Sequence, residues 1–263
     1  MIDFHNHLVP GVDDGAADLD ESRTALETFR AQGVHTVITT PHYPASLAAR
    51  PEALASFFAA LDPAWERLRA LAAAEFPDLR LERGVEVNLD LPQPDLSDPR
   101  LRLAGTRFVL CEFPFMAVPP NSAQVLFDLT ILGWTPVVAH PERYGNLDEA
   151  LHAADEWRRA GARLQVNCGS LLGRYGPQAH RLAWGLLREG WADYLCSDYH
   201  ARGTCHVAAC RAELEKAGGA EQARLLSEEN PARLLAGEAP LPVPPLRAEP
   251  RPFWRRLLGG GRA

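Results

Sequence analysis

The chain opens Met1-Ile2-Asp3-Phe4-His5-Asn6-His7, an apolar start that runs straight into His-x-His. Residues two apart on a strand point to the same side, so His5 and His7 can aim both imidazoles at one point. Neutral imidazole is the commonest protein metal ligand. By itself the motif fits two surface histidines equally well. Its weight comes from what recurs downstream.

Working outward, short apolar runs follow at 34–39, 79–87, 108–111, 136–139, 164–166 and 194–196. Helical patterns separate most of them. Asp18 with Glu21 has capping-box spacing, Ala25, Leu26 and Phe29 give that segment an apolar face, and Gly33 closes it. Residues 53–74 read as a long Ala/Leu helix with Phe57, Phe58, Leu61, Trp65 and Leu68 inward, and Pro63 is expected to kink or split it. Asn146 with Glu149 is read as the cap of a further helix ending at Gly161, and Asn230-Pro231 as the start of a short last one. Strands alternating with helices imply parallel strands in βαβ units. About seven such strands in one domain of this length favour an α/β barrel, distorted, over an open sheet.

Composition narrows the function. The 263 residues are 46% hydrophobic and 23% charged, with net charge -7, so no broad basic field exists to neutralise phosphates and a nucleic-acid partner is not expected. No strand is followed by Gly-x-Gly-x-x-Gly, and no Walker-type loop occurs. The five cysteines lack CxxC spacing, and Cys205, His206 and Cys210 lack a fourth zinc ligand. With no export signal and no apolar run of roughly 18 residues, the thiols read as reduced and the expected location is cytoplasmic. From about residue 237 the composition shifts. Leu241-Pro242-Val243-Pro244-Pro245 is stiff and extended, and Arg251-Pro252-Phe253-Trp254-Arg255-Arg256 is basic and aromatic. The domain is therefore expected over 1–236. The remainder, 237–263, is read as a flexible tail, with contact to an anionic membrane surface as the sharper reading.

The polar residues fall at the strand ends. His5 and His7 end the first, His42 follows Thr39-Thr40-Pro41, Glu86 ends Gly84-Val85, Glu112 follows Cys111, His140 follows Ala139, and Asp198 and His200 follow Ser197. In a β/α barrel the C-terminal strand ends converge on the face that holds the active site. Ionisable groups gathered at buried positions need partners or ions to offset desolvation. Histidine with carboxylate and without thiolate suits manganese, iron, zinc or cobalt. Asp13-Asp14 before Gly15 is either a turn or a further carboxylate ligand.

The motifs His5-Asn6-His7-Leu8-Val9-Pro10-Gly11-Val12-Asp13-Asp14-Gly15, Thr40-Pro41-His42, Gly84-Val85-Glu86, Glu112-Phe113-Pro114, Ala139-His140-Pro141-Glu142-Arg143 and Ser197-Asp198-Tyr199-His200 resemble the PHP (polymerase and histidinol phosphatase) superfamily. Within it they resemble the bacterial capsular and exopolysaccharide manganese-dependent protein-tyrosine phosphatases. The resemblance covers about residues 1–236. It implies a single-domain distorted (β/α)7 TIM-like barrel, the PHP fold, with a cluster of three divalent ions, manganese first and iron, zinc, cobalt or magnesium as alternatives. It assigns His5, His7, Glu86 and Asp198 to one ion, Glu86 as a bridge with Glu112 and His140 to a second, and Asp14, His42 and His200 to a third. Four carboxylates against three divalent ions leave net positive charge for a phosphomonoester dianion. An ion-activated water would attack phosphorus directly. Cys-x5-Arg spacing does occur, at Cys168–Arg174, Cys196–Arg202 and Cys205–Arg211, but Cys168 and Cys196 lie in or beside apolar runs and read as inert core residues, and the ion-activated water needs no thiol.

Arg143 is the expected phosphate clamp, since guanidinium matches phosphate oxygens bidentately. The alternative is a salt bridge to Glu142 or Glu149. The resemblance also points to an arginine after the last Asp-x-His, here Arg202, at shorter spacing than usual. It makes Arg174, in the loop Gly169-Ser170-Leu171-Leu172-Gly173-Arg174, a lesser phosphate contact. Tyr43 and Phe115 are candidates to flank a phenol ring. The implied activity is hydrolysis of phosphotyrosine on a protein, a bacterial tyrosine kinase of polysaccharide export being the expected partner. The rivals are a phosphatase or phosphodiesterase for a small metabolite such as histidinol phosphate, and a non-catalytic regulator in which ions only hold the fold together.

Overall fold

Two interruptions, at Thr40-Pro41 and at Gly84-Val85, shape the sheet. In the computed structural model, which describes residues 1–91, 93–148 and 150–247, the apolar runs become parallel strands. These are β1 (Ile2–Asp3), β2 (Thr36–Thr39), β3 (His42–Pro44), β4 (Arg80–Arg83), β5 (Glu86–Asn88), β6 (Phe108–Glu112), β7 (Thr135–Ala139), β8 (Arg163–Asn167) and β9 (Tyr194–Cys196). Their order is β1-β2-β4 in one sheet and β3-β5-β6-β7-β8-β9 in the other. Each of β2/β3 and β4/β5 is one stretch of chain that changes sheet. Pro41 has no N–H to give a ladder, but its carbonyl accepts from Glu86 N at 3.0 Å, and Gly84 N donates to Thr39 O at 2.9 Å. Gly84 fits a close approach there: a Cβ would sit 3.1 Å from the Leu103 Cα, tighter than ordinary contact. Asp198 N donates to His5 O at 2.8 Å and His7 N to Tyr199 O at 2.9 Å, so the first and last strand regions are parallel neighbours through an Asn6–Tyr199 bridge.

The connecting helices are α1 (Leu19–Ala31), α2 (Pro51–Glu75), α3 (Ser122–Ile131), α4 (His152–Arg159), α5 (Cys168–Leu171), α6 (Gly176–Glu189), α7 (Val207–Lys216), α8 (Ala220–Arg224) and α9 (Asn230–Leu235). The result is a mixed α/β single-domain fold. Asp18 caps α1, accepting from Asp20 N and Glu21 N. Strand residues alternate between two cores, as the pleat requires. Val85, Val87, Val109, Cys111, Val138 and Leu164 pack in the larger core with the helices, whereas Phe108, Leu110, Val137 and Ala139 join Phe4, Ile38 and Tyr194 in a smaller one. Glu86, Glu112 and Gln165 share the parity of the smaller core. Glu112 is the last residue of β6, whereas Glu86 opens β5 just past the sheet change and Gln165 lies mid-way along β8.

Three sequence readings meet the structure differently. Pro63 neither splits nor ends α2, which runs unbroken from Pro51 to Glu75. Leu61, Ala64, Trp65 and Leu68 around it are buried, so packing outweighs the lost helical bond. Asn146 does not cap a helix. α4 starts later, at His152, and the Asn146 amide clasps the Val118 backbone instead, accepting from its N–H at 2.7 Å and donating to its carbonyl at 3.0 Å. Its expected partner Glu149 lies outside the described residues. Beyond 236, Leu241 N donates to Asn230 Oδ1 at 2.7 Å, Leu246 N to Leu187 O at 2.9 Å and Gln222 Nε2 to Pro244 O at 2.6 Å. Residues 241–246 are thus tied to α6, α8 and α9. The basic stretch from 248, on which the membrane reading rests, lies outside the described residues. Among the described residues no helix is long and apolar enough to cross a membrane.

Candidate metal centre

Strand register brings the acidic and imidazole groups together. His42 stands opposite Glu86 in the β3–β5 ladder, and Asn88 opposite Glu112 in β5–β6. Glu86 is fully buried at the centre. His5 Nε2 lies 3.2 Å from Glu86 Oε1 and 3.3 Å from Asp198 Oδ1, and His7 Nε2 lies 3.6 and 3.4 Å from the same two carboxylates. His140 Nε2 reaches Glu86 Oε1 at 3.2 Å and Glu112 Oε2 at 4.0 Å. His42 bridges outward, with Nδ1 3.1 Å from Glu86 Oε2 and Nε2 3.4 Å from Asp14 Oδ1. His200 Nε2 is 3.5 Å from the same Asp14 oxygen. His140 and Asp198 hold left-handed backbone, φ 34° and 53°, which costs roughly 1–3 kcal/mol per residue and persists only where the surroundings enforce it.

The imidazoles are set from behind. His5 Nδ1 pairs with Gln165 Oε1 at 2.8 Å, His7 Nδ1 with Asp13 Oδ2 at 2.7 Å and His200 Nδ1 with the Asp198 carbonyl at 2.9 Å. With Nδ1 donating, each Nε2 carries a lone pair inward, the arrangement that fixes the tautomer of a metal ligand. Asp13 therefore supports His7, while Asp14 faces His42 and His200. Asn88 donates to Glu112 at 3.0 Å and Asn167 to Asp198 at 3.2 Å. Gln165, Asn88 and Asn167 were not singled out in the sequence, although a glutamine inside the apolar run 164–166 is the kind of buried polar residue that signals a partner.

The electrostatics show a shortage of positive charge. Burial disfavours charge on His5, but Glu86 and Asp198 overcome it and push the imidazole up to about 9. Burial likewise opposes charge on His7, yet Asp13, Asp198 and Glu86 raise it well above its ordinary value. Glu86 is held well below the carboxylate range, against burial, by His5, His140 and His42. Glu112 goes the other way, raised by burial and then by the Glu86 charge. Despite this crowding, His5 Nε2, His7 Nε2 and Glu86 Oε2 are buried without a hydrogen bond. Orphaned donor atoms converging from several sides fit divalent ions. Four sets have ligand atoms within 4.8 Å of one another: His7, Asp14, His42 and His200; His5, His140 and Asp198; His5, His7 and Glu86; and His42, Glu86 and Glu112.

Around this cluster the other expected residues separate. Arg143 comes onto it, its Nη1 pairing with Asp198 Oδ2 and its guanidinium stacking 4.2 Å above the Tyr175 ring. Its partner is thus Asp198, not Glu142. Arg174 and Arg202 stand at the rim, in a cleft of about 230 Å3 shared with Asp198, His200 and His206. Arg202 Nε is 3.4 Å from Glu21 Oε2. Tyr43 is a correction. It is fully buried, packed edge-on against Phe57 at 5.3 Å. His42 takes the inward side of β3, so its neighbour must face the helices, and no substrate ring can reach it.

Gly15 closes the loop that carries Asp13 and Asp14. A Cβ there would lie 2.1 Å from the His7 carbonyl oxygen, so Gly15→Ala must push the loop off His7. We expect a loss of roughly 1–3 kcal/mol in denaturant unfolding, with lower metal occupancy. An unchanged midpoint would count against this reading of the loop.

A family model described as capsular polysaccharide synthesis, CpsB/CapC, matches residues 1–236. The tyrosine-protein phosphatase YwqE of Bacillus subtilis (strain 168) is 31% identical over 264 residues, covering 99% of each chain. The tyrosine-protein phosphatase CpsB of Streptococcus agalactiae serotype III (strain NEM316) is 29% identical over 208 residues, covering 76% of this chain and 83% of that one. A chain among the crystal structures of YwqE from Bacillus subtilis and CpsB from Streptococcus pneumoniae, described as unique metal-dependent tyrosine phosphatases, matches with TM-score 0.77 at 28% identity, over 95% of this chain and all of that one. Histidinol phosphate phosphatase from Lactococcus lactis matches with TM-score 0.52 at 14% identity, over 83% and 93%, a likeness of fold alone.

Proposed function

Since the chain belongs to the CpsB/CapC family of capsular polysaccharide synthesis, we propose that it is a metal-dependent protein-tyrosine phosphatase that opposes a tyrosine kinase in capsule or exopolysaccharide production. The observation that carries this is the convergence of five imidazoles and four carboxylates into overlapping sets of ligand atoms. In this reading the parallel strands close into a distorted (β/α)7 barrel of PHP type, which the contact between the first and last strand regions supports.

We assign His5, His7, Glu86 and Asp198 to one ion, Glu86, Glu112 and His140 to a second, and Asp14, His42 and His200 to a third, manganese being the expected metal. When bound, such ions supply Lewis-acid charge and a water acidified toward neutral pH. The chain's own residues do the rest. Gln165 and Asp13 hold the His5 and His7 rings in the tautomer that faces inward. Arg143 binds the phosphoryl oxygens from the Asp198 side and stabilises the charge that builds on them. A phenol, whose ordinary pKa is about 10, leaves with less proton assistance than an alkoxide, which favours phosphotyrosine over an aliphatic ester.

The test compares manganese-loaded protein on a tyrosine phosphopeptide and on histidinol phosphate. The expected result is a clear preference for the peptide. A preference for histidinol phosphate would support a metabolite phosphatase instead.

Metal uptake must also displace protons. In the metal-free protein His5, with a pKa of about 9, and His7 are charged at pH 7, and a ligand must be neutral. We expect net proton release on metal binding at pH 7. The apparent affinity should rise with pH through the range in which His5, held at about 9, and the raised His7 lose their protons. Calorimetry in buffers of different ionisation enthalpy measures this, and a plateau already reached by pH 6 would contradict it.

A further inference from the structure

We propose that Phe115 forms one wall of a cleft that receives the aromatic ring of the phosphoester leaving group, and so sets the preference for aryl over alkyl phosphates. The inference rests on the phosphatase reading above. Phe115 is 98% exposed, which alone would mean little for a single surface residue. Its backbone adds to the case. Phe115 and Met116 both lie in the left-handed region, φ 57° and 50°, a conformation that non-glycine residues rarely adopt.

The loop is held in that shape from both ends. Phe113 N donates to the Tyr144 hydroxyl at 3.0 Å, and the Phe113 ring is buried against Tyr144 and Trp157. Gly145 N donates to Met116 O at 3.0 Å, and Asn146 clasps Val118. Phe115 is therefore presented by fixed neighbours on a strained turn, the pattern found where a side chain is positioned for binding.

What it borders is a cleft of about 570 Å3, lined by His42, Pro44, Asn88, Asp90, Glu112, Pro114 and Phe115; the Asp90 carboxylate is engaged by Ser46 N and Oγ. His42 and Glu112 belong to the candidate metal centre, so a phosphate held there would direct its ester group into this space. Two prolines and a phenylalanine suit an apolar ring, and ring pairs prefer offset or edge-to-face contact. The neighbouring clefts suit a ring less well. In one, the Tyr175 face is already covered by Arg143; in the other, Arg174, Arg202 and His206 line the wall.

The test measures kcat and KM of manganese-loaded wild type, Phe115→Ala, Phe115→Leu and Phe115→Trp on phenyl phosphate, propyl phosphate and a tyrosine phosphopeptide, with metal content determined for each. For Ala and Leu we expect the aryl-to-alkyl ratio of kcat/KM to fall roughly 3- to 10-fold, mainly through KM on the aryl ester. Trp should restore the ratio. An unchanged ratio, or an equal loss on both esters, would overturn the proposal. So would a defect confined to phosphopeptides, which would mean that Phe115 reads flanking residues. A wild type that hydrolyses the phosphopeptide but neither small ester would overturn the proposal alone, whereas one that hydrolyses none of the three would bring down the phosphatase reading itself.

Discussion

Glu86→Gln is expected to lower turnover of a tyrosine phosphopeptide by roughly 1000-fold or more, because it removes several kcal/mol of transition-state stabilisation along with the ions. Among the four carboxylates of the cluster, Glu86 lies against the most imidazoles. Its two oxygens lie within 3.6 Å of nitrogens from His5, His7, His42 and His140. Glutamine keeps the shape but removes the charge, and it turns an amide N–H2 toward imidazoles that need an acceptor or an ion. Metal content should fall together with kcat. A variant that loses less than about tenfold, with full metal content, would show that Glu86 is not the shared ligand.

Arg143→Ala should cost roughly 100- to 1000-fold in kcat/KM, the range for removing one preorganised donor from a developing oxyanion. Arg143→Lys should recover little, since an ammonium lacks the planar fork and the stacking on Tyr175. Metal content separates two roles. If it stays at the wild-type level, Arg143 acts on the phosphate. If it falls in parallel with activity, Arg143 serves to position Asp198, and its assignment as a phosphate clamp is wrong.

Much of this architecture was legible because buried parallel strands read as continuous apolar runs. The run 108–111 became β6 (Phe108–Glu112), and Glu112 lies at its end as expected. Long-range relations were less visible. Nothing local says that β2 and β3 change sheet at Pro41, because the acceptor for Glu86 N comes from 45 residues away. Asn146 has the composition of a helix cap, yet its partner is a loop backbone 28 residues distant. Tyr43 was misread for a different reason. Tyr43 follows His42 directly, and the pleat puts chain neighbours on opposite faces. The supporting residues Asp13, Gln165, Asn88 and Asn167 are ordinary polar residues until a fold brings a ligand in front of them.

The most direct test is to strip the protein with a chelator, titrate manganese back, and follow bound metal and hydrolysis of a tyrosine phosphopeptide in the same samples. The prediction is no turnover in the stripped protein, and recovery that saturates at about three ions per chain, the number the nine ligands can hold at three or four each. Undiminished hydrolysis in protein carrying no metal would contradict the account.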